Sequence, residues 1–144
     1  MGMVGYYHEG LRRGRTSPLA AATLSAILLS MTEGKKKLPR RFTLKTGEPF
    51  AFAGLWDVWT GEKQKLVTCC LITTVANELE QPVHDRMPVI LPPESYGEWL
   101  DPGTPEERLT ALLKPYPPEA MQVTEVGTAV NSPRNDGPEC LEAA

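Results

Sequence analysis

The sequence predicts an α+β domain, built mainly from strands joined by short loops, with a few short helices. Fourteen prolines in 144 residues disfavour long helices. Three stretches have side-chain patterns typical of strands. Polar and apolar side chains alternate in residues 41–45, and aromatic or β-branched side chains are frequent in residues 50–59 and 67–75. Residues 93–100 and 104–113 have a proline near their start, which is typical of short helices.

The strand predictions follow the chain in order. Residues 41–45 are expected to form a half-buried strand, and the turn at residues 46–49 ends it. Residues 50–59 predict an aromatic-rich second strand, in which Gly54 lets another backbone approach closely. Residues 67–75 are largely β-branched and apolar, which favours a third, more buried strand.

The second half of the chain predicts short helices and one last strand. Residues 76–81 are expected to form one helical turn that ends before a proline. In the helix predicted at residues 104–113, Thr104 is the expected N-cap and Glu107 stands at the capping-box position. Residues 121–126 predict the last strand, and the acidic tail beyond the following loop is expected to be mobile.

The first 31 residues differ in composition from the rest. Residues 11–15 are basic, and residues 19–31 form an uncharged run that is too short to span a bilayer, which needs about 20 residues. A basic segment followed by an apolar one has the outline of an export signal. A short buried helix and a stretch of unrelated coding sequence are the alternatives. We expect residues 1–31 to be an atypical segment and residues 32–142 to form the domain.

Charge is distributed unevenly along the chain. Residues 1–50 carry nine Lys or Arg against three Asp or Glu, whereas residues 51–144 carry six against fifteen. A basic segment beside an acidic body could bind phosphate on one side of the fold. The alternative is a solvated basic edge with no ligand.

The cysteines and the missing motifs exclude several classes of protein. The three cysteines, Cys69, Cys70 and Cys140, are odd in number and two of them are adjacent, so we do not expect a disulfide framework. We expect reduced thiols in a cytoplasmic protein. The sequence contains no CxxC pair, no HExxH and no phosphate-binding Gly-rich loop. We therefore expect no metal ion and no other cofactor.

His84 is the residue in the sequence that is best suited to catalysis. It is followed by Asp85 and Arg86 and stands between Pro82 and Pro88, which restrict the backbone. A histidine held in one direction suits proton transfer near neutral pH. The alternative is a loop histidine whose ring pairs with its own backbone.

Other polar and aromatic candidates are weaker. Thr73 and Thr74 could act as nucleophiles, but a predicted buried strand makes packing their expected role. Trp56, Trp59 and Trp99 could stack on bases, but strand and helix positions favour a place in the core.

Four stretches of the chain resemble a known family. Residues 47–56 read GEPFAFAGLW, residues 71–77 contain LITT followed by AN, residues 84–91 read HDRMPVIL, and residues 135–140 read NDGPEC. In this order, over about residues 35–142, they resemble the SRAP family, the SOS response-associated peptidases. The HDRMP string is highly specific.

The resemblance implies a fold and a function. The fold would be a mixed, mostly antiparallel sheet that curls into a partial barrel, with short peripheral helices. The function would be single-stranded DNA binding and covalent trapping of abasic sites in the DNA damage response, by a cytoplasmic, nucleoid-associated monomer that binds neither membrane nor metal. In such proteins the second residue is a Cys, whose amine and thiol capture the sugar aldehyde as an imine and then as a thiazolidine. The same Cys gives the family its peptidase name.

The resemblance also assigns residues. The family histidine corresponds to His84, whereas Ser30 stands where the family glutamate belongs and Gly2 stands where the Cys belongs. We therefore expect abasic-site capture to be impaired; the alternative is a non-functional fragment or structural module of a truncated or frameshifted gene. DNA affinity is expected to be dominated by phosphate contacts. The residues expected to make them are Arg86, Lys35, Lys36, Lys37, Arg40 and Arg41.

Overall fold

The structure is a computed structural model that describes residues 19–24, 26–33, 36–61, 64–132, 134–135 and 137–144. Within these ranges the strands are β1 (Leu19–Leu24), β2 (Ile27–Glu33), β3 (Lys36–Leu44), β4 (Phe50–Thr60), β5 (Lys65–Leu71), β6 (Thr73–Val75), β7 (Arg86–Pro88), β8 (Ile90–Leu91) and β9 (Met121–Glu125). The α-helices are α1 (Tyr96–Leu100) and α2 (Glu106–Ala111), and four 3-10 helices span Pro93–Ser95, Pro118–Ala120, Thr128–Asn131 and Pro138–Leu141. No described helix is long and apolar enough to cross a membrane.

The described strands form three sheets in which every pair is antiparallel. β4 is the centre of the first sheet: β1 pairs with its first half, β5 with its second half, and β8 with Ala51 and Phe52. The second sheet has the order β2-β3-β9, and the third is the β6-β7 pair. The predicted α+β class, with mostly antiparallel strands and short helices, is confirmed. The described sheets are open, as in a partial barrel.

The core has two parts because side chains alternate along β4. Phe50 and Phe52 point into one cluster, where their ring centroids lie 5.6 Å apart, and Ala53 and Leu55 point into the other. The first cluster joins β3, β4, β7 and β9 through buried Phe42, Met87 and Met121. The second joins β4 and β8 to both α-helices through Leu91, Trp99 and Leu109. Burying one such large apolar side chain stabilises the fold by about 2 to 3 kcal/mol.

The third predicted strand differs from expectation. Every residue of β5 is exposed, although residues 67–75 were expected to be more buried. β5 pairs with the outer half of β4, where no described element covers either face of the hairpin, so its apolar composition does not lead to burial. Trp59, on this half of β4, is 57% exposed instead of lying in the core, whereas Trp99 is buried as expected.

Residues 76–81 contain the one helical turn expected there, because the Gln81 N–H donates to the carbonyl of Asn77, four residues earlier, at 2.9 Å. The helix predicted at residues 104–113 is corrected in two respects. The capping box at Thr104 is wrong, because the Thr104 hydroxyl donates to the backbone carbonyl of Glu98 at 2.7 Å and no side chain caps α2. α2 begins at Glu106 and ends at Ala111, two residues before the expected end.

Both ends of the described chain are held by strand pairing. Residues 19–24 and 27–33 lie in β1 and β2, so the short buried helix considered for residues 19–31 is wrong; residues 1–18 lie outside the described ranges. The tail, expected to be mobile, returns to β9: Val126 and Ala143 form a β-bridge, and Gly127 N–H donates to the Glu142 carbonyl at 3.1 Å.

Candidate functional site

Asn77 fixes the start of the loop that carries His84, residues 77–86, here named the His84 loop. Its buried side-chain oxygen accepts hydrogen bonds from the backbone N–H of Leu79 at 3.1 Å and of Glu80 at 3.0 Å. Its Nδ2 donates to the backbone carbonyl of Tyr116 at 2.8 Å. The Asn77 side chain therefore accepts hydrogen bonds from two backbone N–H groups of the turn and also binds the turn to the segment before β9.

Backbone hydrogen bonds close the His84 loop. The N–H groups of Val83 and His84 both donate to the Glu80 carbonyl, at 2.9 and 3.0 Å. Ala76 N–H donates to the Asp85 carbonyl at 3.0 Å, which joins the two ends of the loop where β6 and β7 pair. His84 is therefore held at a defined place in the turn.

The His84 ring is anchored at one nitrogen. Nδ1 lies 3.0 Å from both the N and the O of Arg86 and 3.2 Å from Asp85 Oδ1. In a neutral ring that carries its proton on Nε2, Nδ1 accepts the Arg86 N–H; in the imidazolium, Nδ1–H donates to the Arg86 carbonyl or to Asp85. The ring can therefore change its proton state without losing its anchor.

The same contacts also agree with the alternative considered for His84, a loop histidine whose ring pairs with nearby backbone. Nδ1 pairs with neighbouring backbone, as expected of a loop histidine. The side chain nevertheless remains 56% exposed, and Nε2 has no hydrogen-bond partner among the described residues. Nε2 is thus the atom that remains for proton exchange with a ligand.

Arg86 supports the ring through its backbone and the neighbouring strand through its side chain. Its Nη2 donates to the Thr73 carbonyl at 2.5 Å and lies 3.0 Å from the Thr73 hydroxyl. These bonds join β7 to β6 and hold the strand whose Arg86 peptide contacts His84 Nδ1. Arg86 therefore has an internal structural role, and its expected phosphate contact stays a prediction.

Glu80 is the most unusual residue of the His84 loop. Its relative exposure is 0%, and neither carboxyl oxygen has a hydrogen-bond partner. Burial raises the pKa of its carboxyl group from 4.5 to about 7, and the charge of His84 opposes this rise. Burial without partners therefore favours the protonated form of this carboxyl at pH values below about 7.

The other expected phosphate-binding residues lie around β3. Lys35 is outside the described ranges, and the backbones of Lys36 and Lys37 pair with β2. Arg40 Nη2 binds Glu125 Oε1 at 3.0 Å. The Nε atoms of Arg40 and Arg41 are buried without a partner. Consecutive residues of a strand point to opposite faces, so these two arginines do not share a surface.

Ser30 and the cysteines are not linked to the His84 loop. The Ser30 hydroxyl, on β2, lies 3.4 Å from Asn131 Oδ1. Cys69 and Cys70 are exposed on β5, and Cys140 is buried near the C-terminus. Among the described residues no group of three or more His, Cys, Asp or Glu could hold a metal ion. The site is therefore built around one imidazole.

Sequence reasoning missed Glu80 and the anchoring role of Asn77. A signal was present for Glu80: Ala76, Leu79 and Val83, which pack on the first core cluster, recur at helical spacing, and Glu80 lies within that stripe. An acidic residue in an apolar stripe indicates a buried carboxyl. The Asn77 contacts to residues 116 and 121 could not be read from sequence, because they join segments about 40 residues apart.

The chain is similar to proteins named for abasic site processing. It is 48% identical over 111 residues to abasic site processing protein YoqW of Bacillus subtilis (strain 168), which covers 76% of this chain and 50% of that protein. It is 40% identical over 93 residues to abasic site processing protein HMCES of Gallus gallus, which covers 62% of this chain and 27% of that protein. The chain therefore spans about half the length of the bacterial relative.

Solved structures and a family model agree with these relatives. A crystal structure of a protein from Bacteroides thetaiotaomicron matches with a TM-score of 0.82 and 26% identity, over 92% of this chain and 60% of that one. A protein from Bordetella bronchiseptica matches with a TM-score of 0.70 and 27% identity, over 81% of this chain and 58% of that one. Residues 30–133 match the model of the SOS response associated peptidase (SRAP) family. This match covers more than half of the chain, which therefore belongs to the SRAP family.

Proposed function

We propose that this chain binds single-stranded DNA at abasic sites. The observation that carries the proposal is the His84 loop, whose sequence is specific to the family. Its imidazole is anchored at Nδ1, and the side chain is half exposed. Relatives named abasic site processing proteins support the choice of ligand. In this proposal the protein acts as a soluble, nucleoid-associated monomer, without metal or membrane.

His84 would act on the aldehyde of the abasic sugar through Nε2. An amine of the chain adds to the aldehyde carbon to give a carbinolamine, which loses water to form an imine. The imidazolium gives a proton to the departing hydroxyl, which leaves as water, and the neutral imidazole then takes a proton from the nitrogen of the new imine, which is general acid-base catalysis. The anchor at Nδ1 keeps the ring in place through both proton states.

We further propose that the capture stays reversible. Closing a thiazolidine needs a thiol beside the imine, and the described thiols, Cys69, Cys70 and Cys140, belong to elements other than the His84 loop. Ser30 stands where the family carboxylate is expected, and a hydroxyl does not serve as a base at neutral pH. An imine alone hydrolyses back to the aldehyde and the amine.

Phosphate contacts would supply most of the affinity. Arg41 is half-buried on β3, and none of the described residues forms a hydrogen bond or ion pair with its side chain, so its guanidinium is the group that we propose for a phosphate contact. Such binding weakens with salt, because each phosphate contact releases counterions.

The test uses a labelled single-stranded oligonucleotide with one abasic site and a matched oligonucleotide without it. We expect salt-dependent binding to both, and a covalent adduct on a denaturing gel only when the abasic DNA is treated with borohydride. No binding at low salt contradicts the proposed ligand. An adduct that survives heating without borohydride contradicts reversibility.

A second candidate is a structural module or fragment without DNA activity. The exposed β4-β5 hairpin favours it, because Trp59, Leu66 and Val67 are each more than half exposed and β5 leaves one edge unpaired among the described strands. Such an edge promotes association between chains. A cooperative unfolding transition of a monomer, together with measurable oligonucleotide binding, would exclude this candidate.

A further inference from the structure

The β4-β5 hairpin has one edge with which no described strand pairs. β4 occupies the other edge of β5, in a register that is continuous from the Thr60–Lys65 pair to the Gly54–Leu71 pair. Natural proteins usually protect strand edges with charged residues, prolines or bulges. β5 has no proline and no bulge, and its one charged residue, Lys65, stands at its start. The edge is therefore open to pairing with another strand.

Hydrogen bonds at the two ends of the hairpin show which backbone groups of β5 point outward. Gly61 N–H donates to the Gln64 carbonyl and Ile72 N–H donates to the Ala53 carbonyl, both at 2.9 Å. Hydrogen-bonded and non-hydrogen-bonded pairs alternate along an antiparallel ladder. The even-numbered residues of β5 therefore bond to β4, and the odd-numbered residues direct their N–H and C=O groups at the free edge. These outward residues are Lys65, Val67, Cys69 and Leu71.

The outward residues are placed symmetrically about Thr68. If a second copy of β5 lies antiparallel with its Thr68 opposite Thr68, then Val67 faces Cys69 of the copy and Lys65 faces Leu71 of the copy. Every outward residue then faces an outward residue, and each such pair exchanges two hydrogen bonds. The two Lys65 side chains lie at opposite ends of the strands, about 20 Å apart, so like charges do not meet. β5 is therefore complementary to itself in hydrogen bonding and in charge.

The exposed side chains of the hairpin also favour this pairing. Leu66 and Val67 are 51% and 65% exposed and point to opposite faces of β5. In the symmetric register Leu66 lies beside Cys70 of the copy, and Val67 lies beside Cys69 of the copy. Trp59, opposite Leu66 on β4, extends the apolar surface of one face. Pairing therefore removes apolar surface from water on both faces of the hairpin.

We propose that two copies of this chain associate through β5 into a two-fold symmetric dimer, with the strand order β4-β5-β5-β4 across the interface. The inference does not depend on the proposed function. The DNA-binding form in that proposal is the monomer, and the dimer is the form that mass action favours at higher protein concentration.

The first measurement is the mass of the wild-type chain by sedimentation velocity over a range of protein concentrations. We expect a monomer at low concentration and a mass that doubles as the concentration rises. Val67→Lys places two cations on one face near the symmetry axis and should abolish the doubling. Val67→Pro removes an outward N–H that β4 does not use, so it should abolish the doubling and leave the hairpin intact. Leu100→Lys changes a 50% exposed apolar side chain on α1 and should leave the doubling unchanged.

The second measurement tests the register by disulfide formation in the background Cys69→Ser with Cys70→Ser, in which the remaining Cys140 is buried. Thr68→Cys places two thiols in a non-hydrogen-bonded pair whose Cα atoms are about 4.5 Å apart, a distance that a disulfide can span. Diamide should convert this variant into a covalent dimer. Leu66→Cys, on the same face, lies about 13 Å along the strand from its own copy and should not be crosslinked.

Each outcome supports or overturns the dimer without reference to DNA. A wild-type mass that stays monomeric at every concentration overturns the association. Doubling that survives both changes at Val67, or crosslinking of Leu66→Cys as readily as Thr68→Cys, overturns the assigned edge and register. Association into species larger than a dimer overturns the closed two-fold arrangement. Any of these results leaves the proposed function in place.

Discussion

Glu80→Met replaces a buried carboxyl with an unbranched apolar side chain of similar length. The folded chain raises the pKa of Glu80 from 4.5 to about 7, so between these pH values the folded state holds a proton that the unfolded state has lost. The contribution of this proton is fully present below pH 4.5 and is lost as the pH rises through about 7. A rise of that size corresponds to about 3 kcal/mol of stability.

Methionine does not titrate, so Glu80→Met should escape this loss. Urea unfolding at several pH values between 4.5 and 8 gives the free energy of unfolding of each chain. The variant should gain about 3 kcal/mol relative to the wild type over that interval, mostly before pH 7. Glu78→Gln, at an exposed position of the same loop, is the matched control for the loss of one acidic group.

The result that would refute this reasoning is a difference between Glu80→Met and the wild type that stays constant from pH 4.5 to pH 8. A constant difference would mean that the Glu80 carboxyl ionises alike in the folded and unfolded chains. Its burial without partners would then have no electrostatic cost.

Three further predictions concern the fold and the proposed DNA contacts. Asn77→Ala removes the bonds that hold the His84 loop and should lower the free energy of unfolding by about 2 kcal/mol; a loss below about 0.5 kcal/mol would mean that the loop is held by its backbone. Phe42→Ala should cost about 3 to 5 kcal/mol in urea unfolding, whereas Thr43→Ala, its half-buried neighbour on β3, should cost far less; equal costs would contradict the assigned core face. Arg41→Ala should lower the slope of log affinity against log salt for single-stranded DNA by about 0.7; an unchanged slope would show that Arg41 binds no phosphate.

Strand positions were predictable where side chains alternate around a covered core. Phe42 and Leu44 alternate with Arg41 and Thr43, and this pattern located the last part of β3, which begins at Lys36. The same reasoning failed for β5, because burial depends on a second layer and no pattern within residues 65–71 reports whether such a layer exists. Trp59 was wrongly predicted to lie in the core for the same reason, because no second layer of described residues covers its part of β4.

The site was predictable in part. His84 was found because a specific string surrounds it, but its anchor at the Arg86 backbone is a feature of the turn. Thr104 looked like an N-cap because its sequence context fits one, yet the hydroxyl reached the Glu98 carbonyl across the loop instead. Glu80 was missed because a turn with helical spacing buried it, whereas acidic residues are usually exposed.

The role of His84 is the central claim, and His84→Gln tests it most directly. Wild type and variant are mixed with abasic single-stranded DNA, and the rate of borohydride-trapped adduct is compared with affinity measured by fluorescence anisotropy. Since proton transfer by a positioned group accelerates a reaction about 100-fold or more, we predict a loss of that size in rate with little change in affinity. Equal rates in the two chains would contradict the assignment of the imidazole to the chemistry of the abasic sugar.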